Sequence, residues 1–540
     1  AKAAKLSIVD YDASAYPYGF YTDMVQKDAC ELLGISYAEL QTGGYQVYTT
    51  LDQDSQAILE ELAEDSSLFP ENAADGSITE CAAVILDPQT GGISAILGGR
   101  EHTTRLAFNR ATSMRRQPGS AIKPVMVFAP AIEYGGYSTT SFLLDQPENF
   151  GGYAPRNSGS TYRGWLTLRD VVAYSVNIPT VRLLNELTVA KCKSYASSVG
   201  IPFEEKDKNL SLALGGFTTG VTPLELCGSY MPFASGGYYT SPYCISKIVD
   251  RDGNVVYEAD AERYNVLSPE TSYLVSSMLT SSVEYGTSKR AAIEGIPLAA
   301  KTGTSTYDDA TNNKDAWIIS YNSQYIVCCW MGFDKTDDEH SLPQGVTGGT
   351  YPADFSAKVF SALYDGKEGP DFQIPPGIAA VEIDQQYLDS YYEVRLASPS
   401  TPEDQRVTEY FTLANLPTQS AEYITVSPPE NLSAAVDQFG YLSISFSSQQ
   451  GLTYQVYRQS NGNAVLVGTL EGTGSMVSLQ DYEADISTAQ LYEVTVSASA
   501  GSPAASGSSS SASATVIYTP LEGAGPSEAR SPRREKQHPQ

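Results

Sequence analysis

Apolar positions fall into three successive patterns along the chain. First, residues 21–33 repeat at helical spacing, Gly43-Gly44 interrupts them, and 45–52 reads as a strand leading into a helix over 55–62. Next, 82–86 and 93–97 are apolar runs parted by Asp87-Pro88-Gln89-Thr90-Gly91-Gly92, which predicts a hairpin. A long, mainly helical stretch with loops follows to about 295. Strands return at 298–304, 316–321 and 325–333, the last two joined by the turn Asn322-Ser323-Gln324. Residues 354–364 set Phe355, Val359, Phe360 and Leu363 on one face and predict a closing helix. The third pattern begins after Pro428 with short alternating runs at 432–436, 441–446, 453–457, 475–479, 491–497 and 514–519.

Strands at both ends of a segment with helices between them predict one antiparallel sheet covered by helices, an α+β domain over 78–366. Residues 1–77 read as a junction preceding it. Residues 367–424 open Gly/Pro-rich and read as a linker with a short irregular region. Residues 425–520 predict a small β-sandwich, with the Ser/Ala-rich 502–513 as a loose hairpin tip. The polar 521–540, with Arg530, Arg533, Arg534 and Lys536, reads as a disordered tail.

Composition narrows the chemistry. The net charge of −29 repels phosphate backbones and argues against nucleic acid as a partner. There are only three histidines, His102, His340 and His538, so a serine enzyme here needs a base other than histidine. An H-E-x-x-H metal motif is absent, and the seven cysteines match no paired framework or zinc spacing, so neither metal nor cofactor is expected. Cys328 and Cys329 sit in an apolar run and are expected to be packing residues. No apolar run is long enough to span a bilayer, and the chain starts at Ala1, which reads as a fragment or processed form.

Three short segments carry candidate chemistry. In Gln117-Pro118-Gly119-Ser120-Ala121-Ile122-Lys123-Pro124, the turn at Pro118-Gly119 and the first-turn preference of proline start a helix near Ser120. Ser120 then sits at the positive end of the helix dipole, with Lys123 three residues on and within reach of its hydroxyl. A serine beside a neutral amine is a nucleophile–base pair, and burial or a second cation makes the amine neutral. The ordinary alternative is a solvated helix start. Ser175-Val176-Asn177 follows a helix capped by Thr167 and stands ahead of Pro179, where that helix should end. Its hydroxyl can relay a proton and its amide can hold a peptide carbonyl, although plain helix-end capping explains it too. Lys301-Thr302-Gly303-Thr304 reads as a strand entering a polar loop. Gly303 admits close backbone approach, Lys301 supplies charge, and Thr302 and Thr304 supply hydroxyl donors for a carboxylate; an edge strand with a solvated lysine is the bland alternative.

Taken in order, S-x-x-K, S-x-N and K-T-G form the signature set of serine penicillin-recognising enzymes. Phe108-Asn109-Arg110-Ala111-Thr112, Gly151-Gly152-Tyr153, Tyr162-Arg163-Gly164 and Asp315-Ala316-Trp317 extend the match, and the chain resembles the transpeptidase portion of class A penicillin-binding proteins over about 1–365. The resemblance implies the penicillin-binding/β-lactamase-like fold and a D,D-transpeptidase that cross-links peptidoglycan stem peptides and is inhibited by β-lactams. It implies Ser120 as nucleophile, Lys123 as base, Ser175 as proton relay and Asn177 as peptide guide. Lys301, Thr302 and Thr304 would hold the terminal carboxylate, and the N–H groups of Ser120 and Thr304 would form the oxyanion hole. It also implies work on the extracytoplasmic face of the bacterial membrane, with a membrane anchor expected upstream. Nothing before Gly43 resembles the acidic glycosyltransferase motifs, and the region after Pro428 resembles a fibronectin type III domain. Competing expectations are a D,D-carboxypeptidase or β-lactam hydrolase, with water as acceptor, and a non-catalytic wall-binding protein.

Overall fold

A computed structural model describes residues 16–307, 312–423, 425–460, 462–499 and 511–520. The predicted tail over 521–540 and most of the predicted hairpin tip over 502–513 lie outside the described residues. The chain divides into two compact units, 1–380 with 410–416, and 381–409 with 417–540.

The first unit is built on an antiparallel sheet of Glu80–Leu86 (β1), Ile93–Leu97 (β2), Ala299–Tyr307 (β3), Asn312–Tyr321 (β4) and Ile326–Gly332 (β5), in the order β3-β4-β5-β1-β2. Side chains alternate across it. Ala82, Val84, Leu86, Ile96, Trp317, Ile319, Cys328 and Trp330 face one core. Cys81, Ala83, Ile85, Leu97, Ile318, Val327, Cys329 and Met331 face another. Both faces are covered, so the central strands β1 and β5 read as apolar runs rather than as alternation.

Helices supply the covers. Gly19–Leu33 (α1), Leu168–Ala173 (α2), Asn177–Leu187 (α3) and Pro269–Glu284 (α4) contribute to the first core, through residues such as Phe20, Val171, Leu184 and Met278. Leu59 and Ala63, from the helix Gln53–Glu64, and Phe355, Val359 and Phe360, from the predicted closing helix at Tyr351–Tyr364, fill the second. The stretch read as a junction, 1–77, is therefore built into the same cores through its described part. Its strand Gln46–Thr49 pairs with Ile245–Val249, about 200 residues away in sequence, a contact no local pattern announces.

One sequence expectation is corrected here. The helix expected from Ser120 changes pitch: a 3₁₀ turn Gly119–Ile122, a π-helical turn Pro124–Phe128, then α-helix Ala129–Gly135. Pro124 and Pro130 lack the N–H that a regular ladder needs, which accounts for the changing pitch. The helix capped by Thr167 ends at Ala173, just before Ser175 and ahead of Pro179, as expected, and Pro179 itself lies in the first turn of the next helix, α3, where backbone N–H groups have no partner inside the helix.

In the second unit, part of the region read as irregular carries a helix, Gln385–Tyr391, and a buried hub. Asp384 accepts hydrogen bonds from Tyr387 N, Thr401 Oγ1 and Tyr423 Oη at 3.0, 2.7 and 2.5 Å. Seven strands then form a sandwich: Glu430–Val436 (β6), Leu442–Ser447 (β7), Leu452–Ser460 (β8), Asn463–Glu471 (β9), Met476–Asp481 (β10), Gln490–Ala498 (β11) and Ser511–Tyr518 (β12). The sheets β6-β7-β10 and β9-β8-β11-β12 enclose Ile444, Phe446, Tyr454, Val456 and Val494. The sequence reading missed β9, whose Val465 and Leu466 are exposed. Tyr492 is buried, and its hydroxyl donates to the Asp481 carboxylate at 2.9 Å.

Candidate active site

The segment before Ser120 is fastened from several directions. Arg116 pairs through both its N–H and C=O with Val221, at 3.0 and 2.9 Å. Its guanidinium donates to the carbonyls of Phe333 and Asp334 at 2.6 and 2.5 Å. The Gln117 side chain clasps the backbone of Phe217, donating at 2.6 Å and accepting at 2.8 Å. The Trp317 indole donates to the Gln117 carbonyl at 3.0 Å. Gly119 follows at φ 54°, in the left-handed region. A Cβ there would stand 2.5 Å from the Thr304 carbonyl oxygen, so the turn and β3 touch backbone to backbone. Gly303 makes the reciprocal approach: a Cβ on it would strike the Pro118 carbonyl and lie 2.8 Å from Ala121 Cβ. β3 is the edge strand of its sheet, and an edge strand carries a row of unpaired backbone groups. Ser120 is half-buried at this junction.

The second segment is set by α2. Thr167 caps that helix, its hydroxyl accepting from Asp170 N at 3.2 Å as the sequence suggested. Ser175 then takes φ 57°, a left-handed conformation that is strained for a residue with a side chain and recurs at functional sites. Asn177 opens α3 immediately afterwards.

The two lysines converge on this bend. Lys123 Nζ donates to Ser175 O at 2.7 Å, Val176 O at 3.2 Å, Asn177 Oδ1 at 2.7 Å and Ser175 Oγ at 3.3 Å. Lys301 Nζ donates to the same Ser175 Oγ at 2.7 Å and to Thr302 O at 3.0 Å. Both lysines are wholly buried. Burial lowers the Lys301 ammonium to about 7. Burial, and then the charge of Lys301, hold Lys123 well below the usual lysine range. Two ammonium groups sharing one hydroxyl stand within about 6 Å, where like charges repel by about 3 kcal/mol at an effective dielectric of about 20. The site therefore favours losing a proton from one of them.

The sequence-chosen residues thus come together. Ser120, Lys123, Ser175, Asn177, Lys301, Thr302, Gly303 and Thr304 belong to one cluster, although Ser175 and Lys301 are 126 positions apart. Two details differ from expectation. The hydrogen bonds of Lys123 run to Ser175, Val176 and Asn177, not to the Ser120 hydroxyl. Asn177 is engaged in the scaffold, its Nδ2 donating to Arg156 O at 2.7 Å. Around β3, Thr302 Oγ1 donates to Thr287 Oγ1 at 2.9 Å, and Gly348 N donates to Thr304 Oγ1 at 3.3 Å. Thr287 and Gly348 were not singled out from sequence. Asp315, quoted earlier only as part of a resemblance, is fully buried and accepts from Ser305 Oγ and from the Trp330 indole, at 2.5 and 3.0 Å.

The other candidates have ordinary roles. His102 pairs with Asp23 at 2.7 Å, and His340 with Asp75 and Asp337 at 3.1 and 2.7 Å. Cys328 and Cys329 are buried, and burial raises their thiols, as for packing residues. Among the described residues, no group of three His, Cys, Asp or Glu could hold a metal ion, and no helix is long and apolar enough to cross a membrane. The cluster sets the Ser175 hydroxyl between two buried amines beside the turn that carries Ser120.

Comparison with known proteins places the chain among relatives of one family. The family model described as penicillin binding protein transpeptidase domain matches residues 81–342. Penicillin-binding protein 1F of Bacillus subtilis is 36% identical over 365 residues, covering 67% of this chain and 49% of that protein. Penicillin-binding protein 2a of Streptococcus pneumoniae is 31% identical over 346 residues, covering 62% and 46%. The chain spans about half the length of these curated relatives. Among solved structures, the fold resembles penicillin-binding protein 1A of Haemophilus influenzae, with TM-score 0.62 and 22% identity over 77% of this chain and 79% of that one. It also resembles PonA1 of Mycobacterium tuberculosis in complex with penicillin V, with TM-score 0.59 and 23% identity over 66% of this chain and 96% of that one.

Proposed function

Since the chain belongs, through residues 81–342, to the penicillin-binding protein transpeptidase family, we propose that it is a peptidoglycan D,D-transpeptidase working through a Ser120 acyl-enzyme. The observation that carries this reading is the Ser175 hydroxyl held between two buried lysines, at 3.3 Å from Lys123 and 2.7 Å from Lys301, beside the turn that bears Ser120.

In this reading neutral Lys123 takes the Ser120 proton as the Oγ–C bond forms on the carbonyl of the penultimate D-Ala. The backbone N–H groups of Ser120 and Thr304 receive the oxyanion, an arrangement that contributes about 3–4 kcal/mol where one such donor has been removed. Ser175 Oγ passes a proton to the departing D-Ala amine as the C–N bond breaks. Lys301, with Thr302 and Thr304, attracts the terminal carboxylate, whose charge favours the protonated form of Lys301. An amine from a neighbouring stem peptide then attacks the acyl-enzyme, forming the cross-link and freeing Ser120. A β-lactam acylates the same serine. The protein works on the outer face of the bacterial membrane, where its substrate lies.

The test is incubation with a peptide ending in D-Ala-D-Ala together with an amine acceptor. Release of D-Ala with formation of the new amide is expected. Free acid as the only product would replace this reading with a D,D-carboxypeptidase, and absence of D-Ala release would contradict both.

A further inference from the structure

A buried polar chain reaches Lys123 from a segment outside the three motifs. It begins at Asp145, the last residue of the short strand Phe142–Asp145 and only 1% exposed. A buried carboxylate is costly unless its lone pairs are satisfied. Asp145 accepts from Asn157 Nδ2 through both oxygens, at 2.8 and 2.9 Å, and from Arg163 N at 2.9 Å. Asn157 Nδ2 also donates to Thr161 O at 2.9 Å.

With its amide hydrogens committed to acceptors, Asn157 must turn Oδ1 the other way. That oxygen accepts from Asn177 N at 3.0 Å and Ile178 N at 3.3 Å, the first N–H groups of α3. Such groups have no partner inside their own helix. Val176, which precedes them, makes no side-chain cap. Asn157 therefore caps α3 from another part of the chain. Asn177 in turn accepts from Lys123 Nζ and donates to Arg156 O, both at 2.7 Å. A carbonyl only accepts, so Arg156 O requires Asn177 Nδ2 on its side and leaves Oδ1 facing Lys123, which fixes the Asn177 amide in one orientation.

We propose that Asn157 is a positioning residue of the acyl-transfer site: it fixes the start of α3 and the Asn177 amide that hold Lys123 beside Ser175, and Asp145 fixes which way Asn157 points. This rests on the reading of Lys123 as the base for Ser120. Lys123 faces uncharged acceptors from Ser175, Val176 and Asn177 and one charged neighbour, Lys301 on β3. A shift of Asn177 removes one of those acceptors, and so changes both the position and the basicity of the amine.

The experiment is a double-mutant cycle of Asn157→Asp and Asp145→Asn in the full chain. Asn157→Asp sets two carboxylates face to face while keeping an acceptor for α3. Adding Asp145→Asn restores a donor–acceptor pair. The readouts are the acylation rate by a fluorescent penicillin per labelled molecule, its pH dependence, and the melting temperature. Asn157→Asp should slow acylation by about ten- to a hundredfold, in line with small misplacements at reacting groups, and should shift the pH limb set by Lys123. The double variant should recover most of both. If Asn157→Asp does not fold, Asn157→Ala, which lacks both the donors to Asp145 and the acceptor for α3, is compared with the parent by the same three readouts. A variant whose melting temperature falls while its rate per labelled molecule and its pH limb match the parent has lost only structural support, and that overturns the proposal. A parent protein that takes no label on Ser120 overturns the underlying reading as well, so the two failures are distinguishable.

Discussion

Gly119→Ala tests the contact between the nucleophile turn and β3. The glycine sits at φ 54°, and a left-handed conformation costs an L-residue with a side chain roughly 1–2 kcal/mol. The added Cβ would also lie 2.5 Å from Thr304 O and 2.9 Å from Thr304 C and N. These are backbone atoms of a paired strand and cannot swing aside as a side chain can. Overpacking of this kind costs about 1–3 kcal/mol, so the sum is about 2–5 kcal/mol. At about 2.1 cal/mol/K of unfolding entropy per residue, a unit spanning 1–380 and 410–416 shifts by about 1–1.5 °C per kcal/mol, so the melting temperature should fall by roughly 2–7 °C. Relief requires moving Ser120 away from Thr304 by a good fraction of an ångström, a displacement that can cost on the order of a hundredfold in rate. Gly136→Ala is the control: its φ is 73°, but nothing lies within 4 Å of the added Cβ. It should show the conformational cost alone, with acylation unchanged. Calorimetry and a fluorescent-penicillin time course measure both quantities. A Gly119→Ala protein that melts no lower than Gly136→Ala and is acylated at the parent rate would refute the reasoning.

Lys123→Ala should slow acylation by about 10²–10⁴-fold, the range for loss of a general base; a near-normal time course would remove Lys123 from that role. The pH dependence of stability follows from Lys301, whose ammonium is lowered to about 7 in the folded chain against about 10.4 when unfolded. Between those values the unfolded chain holds the extra proton, so stability should rise with pH across that window, and the penalty should be complete below about 7. Urea titrations across the window should show a flatter slope for Lys301→Met, and an unchanged slope would contradict the shift. The kcat/KM profile for acylation of the free enzyme should be bell-shaped, its lower limb set by deprotonation of Lys123 and its upper limb by loss of the Lys301 charge. A rate that rises monotonically through alkaline pH would dismiss the charged role of Lys301.

Much of the fold and the heart of the site could be read from residue order. The runs at 82–86 and 93–97 are apolar without alternation because both sheet faces are covered, and their turn residues mark the hairpin. Ser120, Lys123, Ser175 and Lys301 were legible only as a set, because each motif alone has an ordinary alternative and only S-x-x-K, S-x-N and K-T-G in order make the signature. What escaped depends on distant partners. The pairing of Gln46–Thr49 with Ile245–Val249 has no local signature. The left-handed bend at Ser175 follows from tertiary packing, since its local sequence does not demand it. Asn157 offers no local cue either: its role arises from meeting Asp145 and the start of α3, 12 and 20 residues away.

Mass spectrometry of the penicillin-treated protein tests the central claim most directly. One β-lactam mass is predicted on the peptide bearing Ser120, and none on the folded Ser120→Ala variant. A folded parent protein that gains no mass, or a Ser120→Ala variant labelled as fully as the parent, would contradict the account.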